Sequence, residues 1–244
     1  MQKVIRFTLT LWLLSFLICS LCHGKERISL EDWLRQAEAL LQKTDSYSAV
    51  FHKRERVKGW LKVKETVSLK FKKPFKVYMK WIEDPGKGRE VLYVDGWNNN
   101  RILLREPGFL GVVGMNLPPQ GAIAMKGSRH PITEIGLEHL VRIFGDNIRK
   151  GLRTGELKYI RGQEGMVYGR RIQPLELIFP RDLRNGYYCY RSIISLDIEK
   201  RVPIHVQVFD WDDLLIEDYG YEDLLLDAGL TDADFDPRKL RERL

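Results

Sequence analysis

The feature that most constrains the fold is a repeated alternation of apolar and polar residues in two consecutive segments, residues 61–71 and 75–81. Lysine occupies many of the polar positions. Successive side chains of a β-strand point to opposite faces of a sheet, and a one-sided apolar pattern is typical of antiparallel sheets. We therefore expect antiparallel strands whose inward-facing residues are Leu61, Val63, Val67, Leu69, Phe71, Phe75, Val77, Met79 and Trp81.

Eight further segments have strand character. Turn signals such as Asp95-Gly96 and Asn185-Gly186 separate several of them. They are residues 47–51, 90–94, 101–104, 156–161, 168–179, 187–198, 203–211 and 214–221. Together with the two alternating segments they predict about ten to eleven strands in series.

Two segments have helical periodicity instead. Ser29 can cap a helix at residues 29–43, whose apolar residues form one stripe on a period of 3.6. A second helix is predicted at residues 133–144, just after Pro131. The predicted fold is mainly β (α+β), an unclosed antiparallel sheet with helices covering its concave face.

The first 24 residues have the composition of a signal peptide, with Lys3, Arg6 and an uncharged run at residues 7–22. That run is shorter than the roughly 20 residues that a spanning helix needs. We expect cleavage near Gly24 and export to the periplasm, with a retained membrane anchor as the alternative. Residues 25–244 are expected to form one domain, in which Cys189 is the remaining cysteine and is interpreted as a buried residue.

Charge is segregated along the chain. Residues 46–80 contain eleven Lys or Arg and two Glu, whereas residues 202–237 contain eleven Asp or Glu and no Lys or Arg. The basic segment is interpreted either as a solvated sheet face or as a docking surface. A docking surface of this charge would bind anionic lipid headgroups or an acidic partner, and salt would weaken the contact.

Residues 107–125 form a connection that contains no charged residue but has four glycines and many large apolar side chains. Most loops are polar because they face water. This apolar connection is therefore expected either to be buried or to contact another apolar molecule.

The motifs of common enzyme active sites are absent from the sequence, including nucleophile elbows, phosphate-binding loops and zinc-protease helices. No local zinc site is encoded either, because the histidines after the signal peptide are well separated: His52, His130, His139 and His205. We expect no enzymatic activity, no cofactor, no metal and no nucleic-acid partner. The competing hypothesis is a hydrolase assembled from carboxylates that are distant in sequence.

Several short segments resemble the LolA and LolB lipoprotein carriers, and the resemblance covers roughly residues 30–237. The chain is also similar to an uncharacterised LolA-like family of exported bacterial proteins. The segments that carry the resemblance are the Tyr-x-Ala-x-Phe strand at Tyr47, Lys73-Pro74-Phe75, Val94-Asp95-Gly96, Leu196-Asp197-Ile198, Tyr219-Gly220-Tyr221 and Asp234-Phe235-Asp236-Pro237.

The resemblance implies an unclosed barrel of about eleven strands, a helical lid, and an apolar cavity that holds acyl chains of a lipid or lipoprotein. It also implies membrane-bound donor or acceptor proteins and a lid-barrel contact at Lys73. In that case the inward-facing residues given above would line the cavity, and Trp33 on the first helix would cover it. The alternative is an envelope interaction module that binds partner proteins through its basic and acidic faces.

Overall fold

The computed structural model describes residues 28–108 and 114–238. The predicted signal peptide at residues 1–24 and residues 109–113 of the apolar connection lie outside the described residues. Within the described ranges, no helix combines the length and hydropathy that a membrane crossing requires.

Antiparallel pairing joins all the strands into one sheet. In chain order they are β1 (Ser46–Val57), β2 (Trp60–Leu61), β3 (Glu65–Lys72), β4 (Lys76–Trp81), β5 (Glu90–Val94), β6 (Ile102–Arg105), β7 (Met115–Leu117), β8 (Lys158–Arg161), β9 (Gly165–Val167), β10 (Arg170–Ile178), β11 (Arg191–Asp197), β12 (Pro203–Phe209) and β13 (Leu215–Leu226). The main path is β7-β6-β5-β4-β3-β1-β13-β12-β11-β10-β8, while β2 pairs with β1 and β9 with β10. Among the described residues the end strands β7 and β8 do not pair with each other, so the sheet is not closed, as predicted.

Helix α1 (Leu30–Lys43) lies where the sequence predicts it. The side chain of Ser29 accepts a hydrogen bond from the backbone N–H of Asp32 at 3.0 Å and so caps the first turn. The predicted apolar stripe is buried along its length: Leu30, Trp33, Leu34, Ala37 and Leu41.

Helix α2 (Leu137–Thr154) differs from the prediction of residues 133–144 at both ends. The start is later because residues 132–134 form a short 3₁₀ turn and Gly136 precedes the helix with a φ of 115°. The end is later because Ile148 continues the buried face beyond Phe144. Gly155, in the left-handed conformation, then ends the helix.

Both helices belong to one hydrophobic core with the inward face of the sheet. The predicted parity is confirmed for most of the alternating residues, since Val67, Leu69, Phe71, Val77, Met79 and Trp81 are buried. An ion pair between Arg149 on α2 and Glu38 on α1, 2.8 Å long, joins the two helices at their surface.

The predicted continuous strand from residue 61 to residue 71 is wrong at its start. The chain turns at Lys58 and Gly59, both with positive φ, and forms the two-residue strand β2 against the end of β1. It rejoins the sheet only at Glu65. Consequently Val63 is 69% exposed instead of inward-facing, and Leu61 is only half-buried.

The basic and acidic segments of the chain meet in the structure. Strand β1 lies between β3 and β13, and two lysines pair with the 3₁₀ turn that follows β13. These ion pairs are Lys70–Asp234 at 2.8 Å and Lys76–Asp232 at 2.5 Å. Part of the basic segment therefore has its acidic partner within the same chain, which leaves fewer charges for an external partner.

Candidate functional site

An apolar cavity of about 140 Å³ lies between the inward face of the sheet, α2 and the segment from Pro119 to Ile135. A cavity of about 150 Å³ in another protein stays dry and binds benzene, so this one has room for a small apolar group. Its apolar lining consists of Phe51, Met79, Trp81, Val91, Ile102, Pro119, Ala124, Pro131, Ile132, Ile135, Leu140, Ile143, Phe144 and Tyr221.

The structure brings only two of the predicted ligand-binding residues, Met79 and Trp81, to the cavity wall. Other predicted residues are packed in the core away from the cavity, namely Trp33, Val67, Leu69, Phe71, Phe75 and Val77. Leu61 and Val63 lie in the β2 region outside it. The inward face was identified correctly, but the cavity lies near the end of that face where β4 finishes. Ligand contact by these residues stays a prediction.

Sequence reasoning missed the contribution of α2 and of the segment after β7. Leu140, Ile143 and Phe144 line the cavity from the helix. Ala124, in the apolar connection, lines it from the other side, whereas its neighbour Ile123 is 61% exposed. The uncharged composition of the connection was the available signal, because a segment that covers a cavity needs apolar residues.

A buried carboxylate forms the polar end of the cavity. Glu217 on β13 is 2% exposed and accepts hydrogen bonds from the Tyr188 hydroxyl at 2.7 Å and from Nε of Arg129 at 2.8 Å. Nε2 of His130 lies 3.0 Å from the same carboxylate. Residues 129 and 130 precede α2, so these bonds tie the segment that covers the cavity to the sheet.

A second buried carboxylate, Glu55 on β1, lies directly opposite Glu217 in the strand register. It accepts hydrogen bonds from the Tyr219 hydroxyl at 2.5 Å and from the backbone N–H of Arg129 at 2.8 Å. The ammonium group of Lys53 is 3.4 Å away. Two like charges at neighbouring buried positions repel each other, so these donors are needed to hold both.

The pKa shifts at the polar end follow from this geometry. Burial raises the pKa of Glu217, but hydrogen bonds and charge from His130, and hydrogen bonds from Tyr188 and Arg129, outweigh burial and bring it below its ordinary value. Burial lowers the pKa of His130, yet its contacts with Glu217 and Glu134 raise it overall.

These shifts bear on the hydrolase hypothesis. A carboxyl group with a raised pKa in a polar cleft is typical of the general acid of a hydrolase. Glu217 has the opposite shift and its oxygens are engaged by three neighbouring side chains. Its geometry is that of a structural anchor.

Lys73, the residue implied to connect lid and barrel, contacts both helices. Its ammonium group donates to the carbonyls of Leu41 and Gln42 at the end of α1, at 2.6 and 2.9 Å. It also lies 3.3 Å from the carboxylate of Glu138 in the first turn of α2. One cation in the turn between β3 and β4 thus holds the end of one helix and the start of the other, while a role in opening stays a prediction.

Groups that could support other chemistry are few in the described ranges. No cluster of three or more His, Cys, Asp or Glu side chains there could hold a metal ion. Cys189 is buried, as predicted, and burial raises the pKa of its thiol to about 12. Its thiol is therefore neutral near pH 7 and a weak nucleophile.

Comparisons with known proteins give one family match. The model of a family described as protein of unknown function (DUF1571) matches residues 44–241. The comparison with curated proteins finds no match.

Solved structures similar to this chain share little sequence with it. A domain described as outer membrane lipoprotein-sorting, from Vibrio parahaemolyticus, is 14% identical with a TM-score of 0.42, and the match covers 86% of this chain and 98% of that one. A LolA superfamily protein from Nitrosomonas europaea is 10% identical (TM-score 0.37; 87% and 100% covered). The lipoprotein LppX from Mycobacterium tuberculosis is 10% identical (TM-score 0.48; 84% and 97% covered).

Proposed function

This chain belongs to the DUF1571 family, whose function is unknown, and we propose its role from its cavity. We propose that it is an exported, non-enzymatic envelope protein that holds an acyl chain of a lipid or lipoprotein and presents it to a membrane or partner. The observation that carries the proposal is the apolar cavity between the sheet and a cover made of α2 and residues 119–135. Apolar pockets of this kind, with a few convergent polar groups, are typical ligand sites.

The size of the cavity indicates how loading would proceed. Burying one methylene contributes about 0.8 kcal/mol, so a chain of about 14 carbons would gain roughly 10 kcal/mol before ordering costs. A cavity of about 140 Å³ is close to one that holds a single benzene molecule. A long chain therefore requires the cover to move away from the sheet, with the contacts of Lys73 and Glu217 as the bonds that loosen.

The first prediction tests the cavity with a variant that fills it. We expect Ala124→Trp to carry at least tenfold less acyl compound than the wild type, because the indole would occupy the space where Ala124 lines the wall. The protein is recovered from the periplasmic fraction, where loss of residues 1–24 is checked by intact mass. Bound acyl compounds are then quantified by mass spectrometry.

Ile123→Trp is the matched control, since Ile123 is the adjacent residue and is 61% exposed. It should carry as much acyl compound as the wild type, and thermal unfolding should show that both variants are folded. A wild type without any acyl compound, or equal amounts in both variants, would contradict the proposal.

The proposal also needs a surface that meets the membrane, and the hairpin at residues 58–64 has the required chemistry. Trp60 is 76% exposed and Val63 is 69% exposed. The hairpin continues directly from the end of β1 whose Lys53 and Glu55 line the cavity. Exposed tryptophan with flanking lysine is typical of residues at a membrane interface.

Charge complementarity favours an anionic bilayer as the partner of this hairpin. The side chains of Lys58, Lys62 and Lys64 are exposed and form no ion pair with described residues. They differ in this respect from Lys70 and Lys76, which pair within the chain. Each lysine near an anionic surface contributes about 1 kcal/mol.

The second prediction follows from that value. Lys62→Gln with Lys64→Gln should weaken binding to phosphatidylglycerol vesicles by about thirtyfold, as two charges of about 1 kcal/mol imply. Co-sedimentation at low salt measures the effect. The control is Lys43→Gln with Lys200→Gln, two lysines elsewhere in the fold, which should change binding little. Equal weakening in both pairs would show that total charge and not the hairpin matters.

A further inference from the structure

Strand β8 lies at one end of the sheet and pairs on one side only, with β10. The backbone N–H of Gly162, the residue after β8, donates to the carbonyl of Pro174 on β10 at 3.0 Å. Hydrogen-bonded positions alternate along an antiparallel pair, so the N–H and C=O groups of Tyr159 and Arg161 point away from β10. In the described part of the chain no other backbone group bonds to them. This β8 edge can therefore pair with the backbone of another chain.

The side chains of the β8 edge are exposed on both faces of the sheet. Tyr159 is 45% exposed although it lies opposite the buried Leu177 on the inward face, and Ile160, on the outer face, is 55% exposed. Met166 on β9, which also pairs with β10, is 63% exposed. None of these residues lines the apolar cavity. The β8 edge is thus a surface separate from the candidate ligand site.

The charges at the β8 edge are positive and have no acidic partner among the described residues. Lys158 on β8 and Arg153 in the last turn of α2 are exposed and form no ion pair there. The guanidinium group of Arg161 donates to the carbonyl of Ile28 at 2.6 Å, so no carboxylate neutralises it either. The acidic side chains around β8 are engaged elsewhere, namely Glu156 by the Tyr187 hydroxyl, Glu164 by Arg171 and Glu176 by Arg191.

This charge selects the kind of partner that fits the β8 edge. A second copy of the chain would bring Lys158 and Arg161 close to the same two cations, and like charges on an edge disfavour such pairing. The residues of this chain just before Ile28 are Lys25, Glu26 and Arg27, a segment that is itself mainly basic. An extended acidic segment of another protein matches both the backbone groups and the charge.

We propose that the β8 edge binds an extended acidic segment of a partner protein, which joins the sheet as an additional strand. Its backbone pairs with the N–H and C=O groups of Tyr159 and Arg161, and its carboxylates lie near Lys158 and Arg153. In this mode of recognition main-chain hydrogen bonds give affinity, and alternate side chains give specificity. The inference does not depend on the proposed acyl ligand, because β8 does not line the cavity.

Two peptides with blocked ends test the inference on the full chain: EVTVTVE and its basic counterpart KVTVTVK. Both alternate valine with polar residues, and therefore favour an extended conformation to the same degree. We expect the acidic peptide to bind at least tenfold more tightly, and its binding to weaken as salt is added. Fluorescence anisotropy at low salt measures both affinities.

Tyr159→Pro tests the backbone contact. The N–H of Tyr159 points away from β10, so proline at this position blocks the β8 edge without removing a hydrogen bond of the sheet. Tyr159→Val is the matched control, because it also removes the ring but keeps the N–H. The valine variant should bind EVTVTVE about fivefold more tightly than the proline variant, the effect of one hydrogen bond. Equal binding by the two variants would exclude strand addition at β8.

Arg153→Glu combined with Lys158→Glu tests the charge and leaves the backbone donors in place, so it also serves if thermal unfolding shows that the proline variant is not folded. It should make KVTVTVK the tighter ligand. Slower amide hydrogen exchange at Tyr159 and Arg161 on addition of EVTVTVE to the wild type would support the assigned position. Binding of neither peptide, equal binding of both, or an unchanged preference after charge reversal would overturn the inference and leave the cavity proposal intact.

Discussion

Replacing Glu217 by glutamine should lower the free energy of unfolding by about 3–5 kcal/mol, the range for removing one partner of a buried charge pair. The variant keeps the shape of the side chain but removes the charge that holds Arg129 and His130. It also turns one acceptor into an amide donor that faces other donors. Urea or thermal unfolding at pH 7 measures the loss.

The matched control lies on the same strand. Glu222→Gln removes a carboxylate that is 40% exposed and 2.7 Å from Nε2 of the buried His52. Because water screens an exposed carboxylate, this loss should be only about 1 kcal/mol. A similar loss of stability in both variants would mean that the buried contacts of Glu217 contribute no more than an exposed carboxylate does.

The pH dependence of the free energy of unfolding distinguishes the charged contacts of Glu217 from apolar packing, which does not titrate. The folded pKa of Glu217 is below its ordinary value of 4.5, so its contribution is present above about pH 4.5 and is lost as pH falls through the folded value. The pKa of His130 is above its ordinary 6.5, so its contribution is present below about pH 6.5 and is lost as pH rises through the folded value. In Glu217→Gln, the free energy of unfolding should depend less on pH in both the acid and the neutral range, because the pKa shifts of Glu217 and His130 depend on each other.

The inward face of the sheet could be predicted from sequence because the period of two is a local property. Val67, Leu69, Val77 and Met79 are buried as their parity requires. Val63 has the same parity but is exposed, since its position depends on the turn at Lys58 and Gly59 and not on alternation. Alternation therefore predicts which face of the sheet a side chain is on only where the strand is hydrogen-bonded to its neighbours.

The cavity could be predicted only in part, because its wall combines elements that are far apart in the chain. Trp81 belongs to a strand with a clear pattern, whereas Leu140 lies on a predicted helix whose position over the sheet no local pattern gives, and Ala124 lies in a connection without periodicity. The pairing of Glu55 with Glu217 depends on the β1–β13 register, which joins residues 162 positions apart. No local signal in the sequence reports such a register.

Helix α2 begins at a glycine whose replacement should also have a large effect. Gly136 has a φ of 115° and a ψ of 163°, a conformation that is essentially restricted to glycine and costs other residues about 1–3 kcal/mol. A Cβ at this position would lie 2.7 Å from the hydroxyl oxygen of Tyr47. Tyr47 cannot move freely, because it is buried and its hydroxyl accepts a hydrogen bond from the Leu137 N–H at 3.0 Å.

Gly136→Ala should therefore lower the free energy of unfolding by about 2–4 kcal/mol, the backbone strain plus the disturbed hydrogen bond. Gly155→Ala at the other end of α2 is the control: its φ is also positive, at 71°, but no atom lies within 4 Å of the added Cβ. That variant should lose only about 1 kcal/mol. Because Gly136 lines the cavity and fixes the start of its cover, the larger loss should be accompanied by weaker binding of apolar probes. Equal losses at the two glycines would show that the contact with Tyr47 does not set the position of α2.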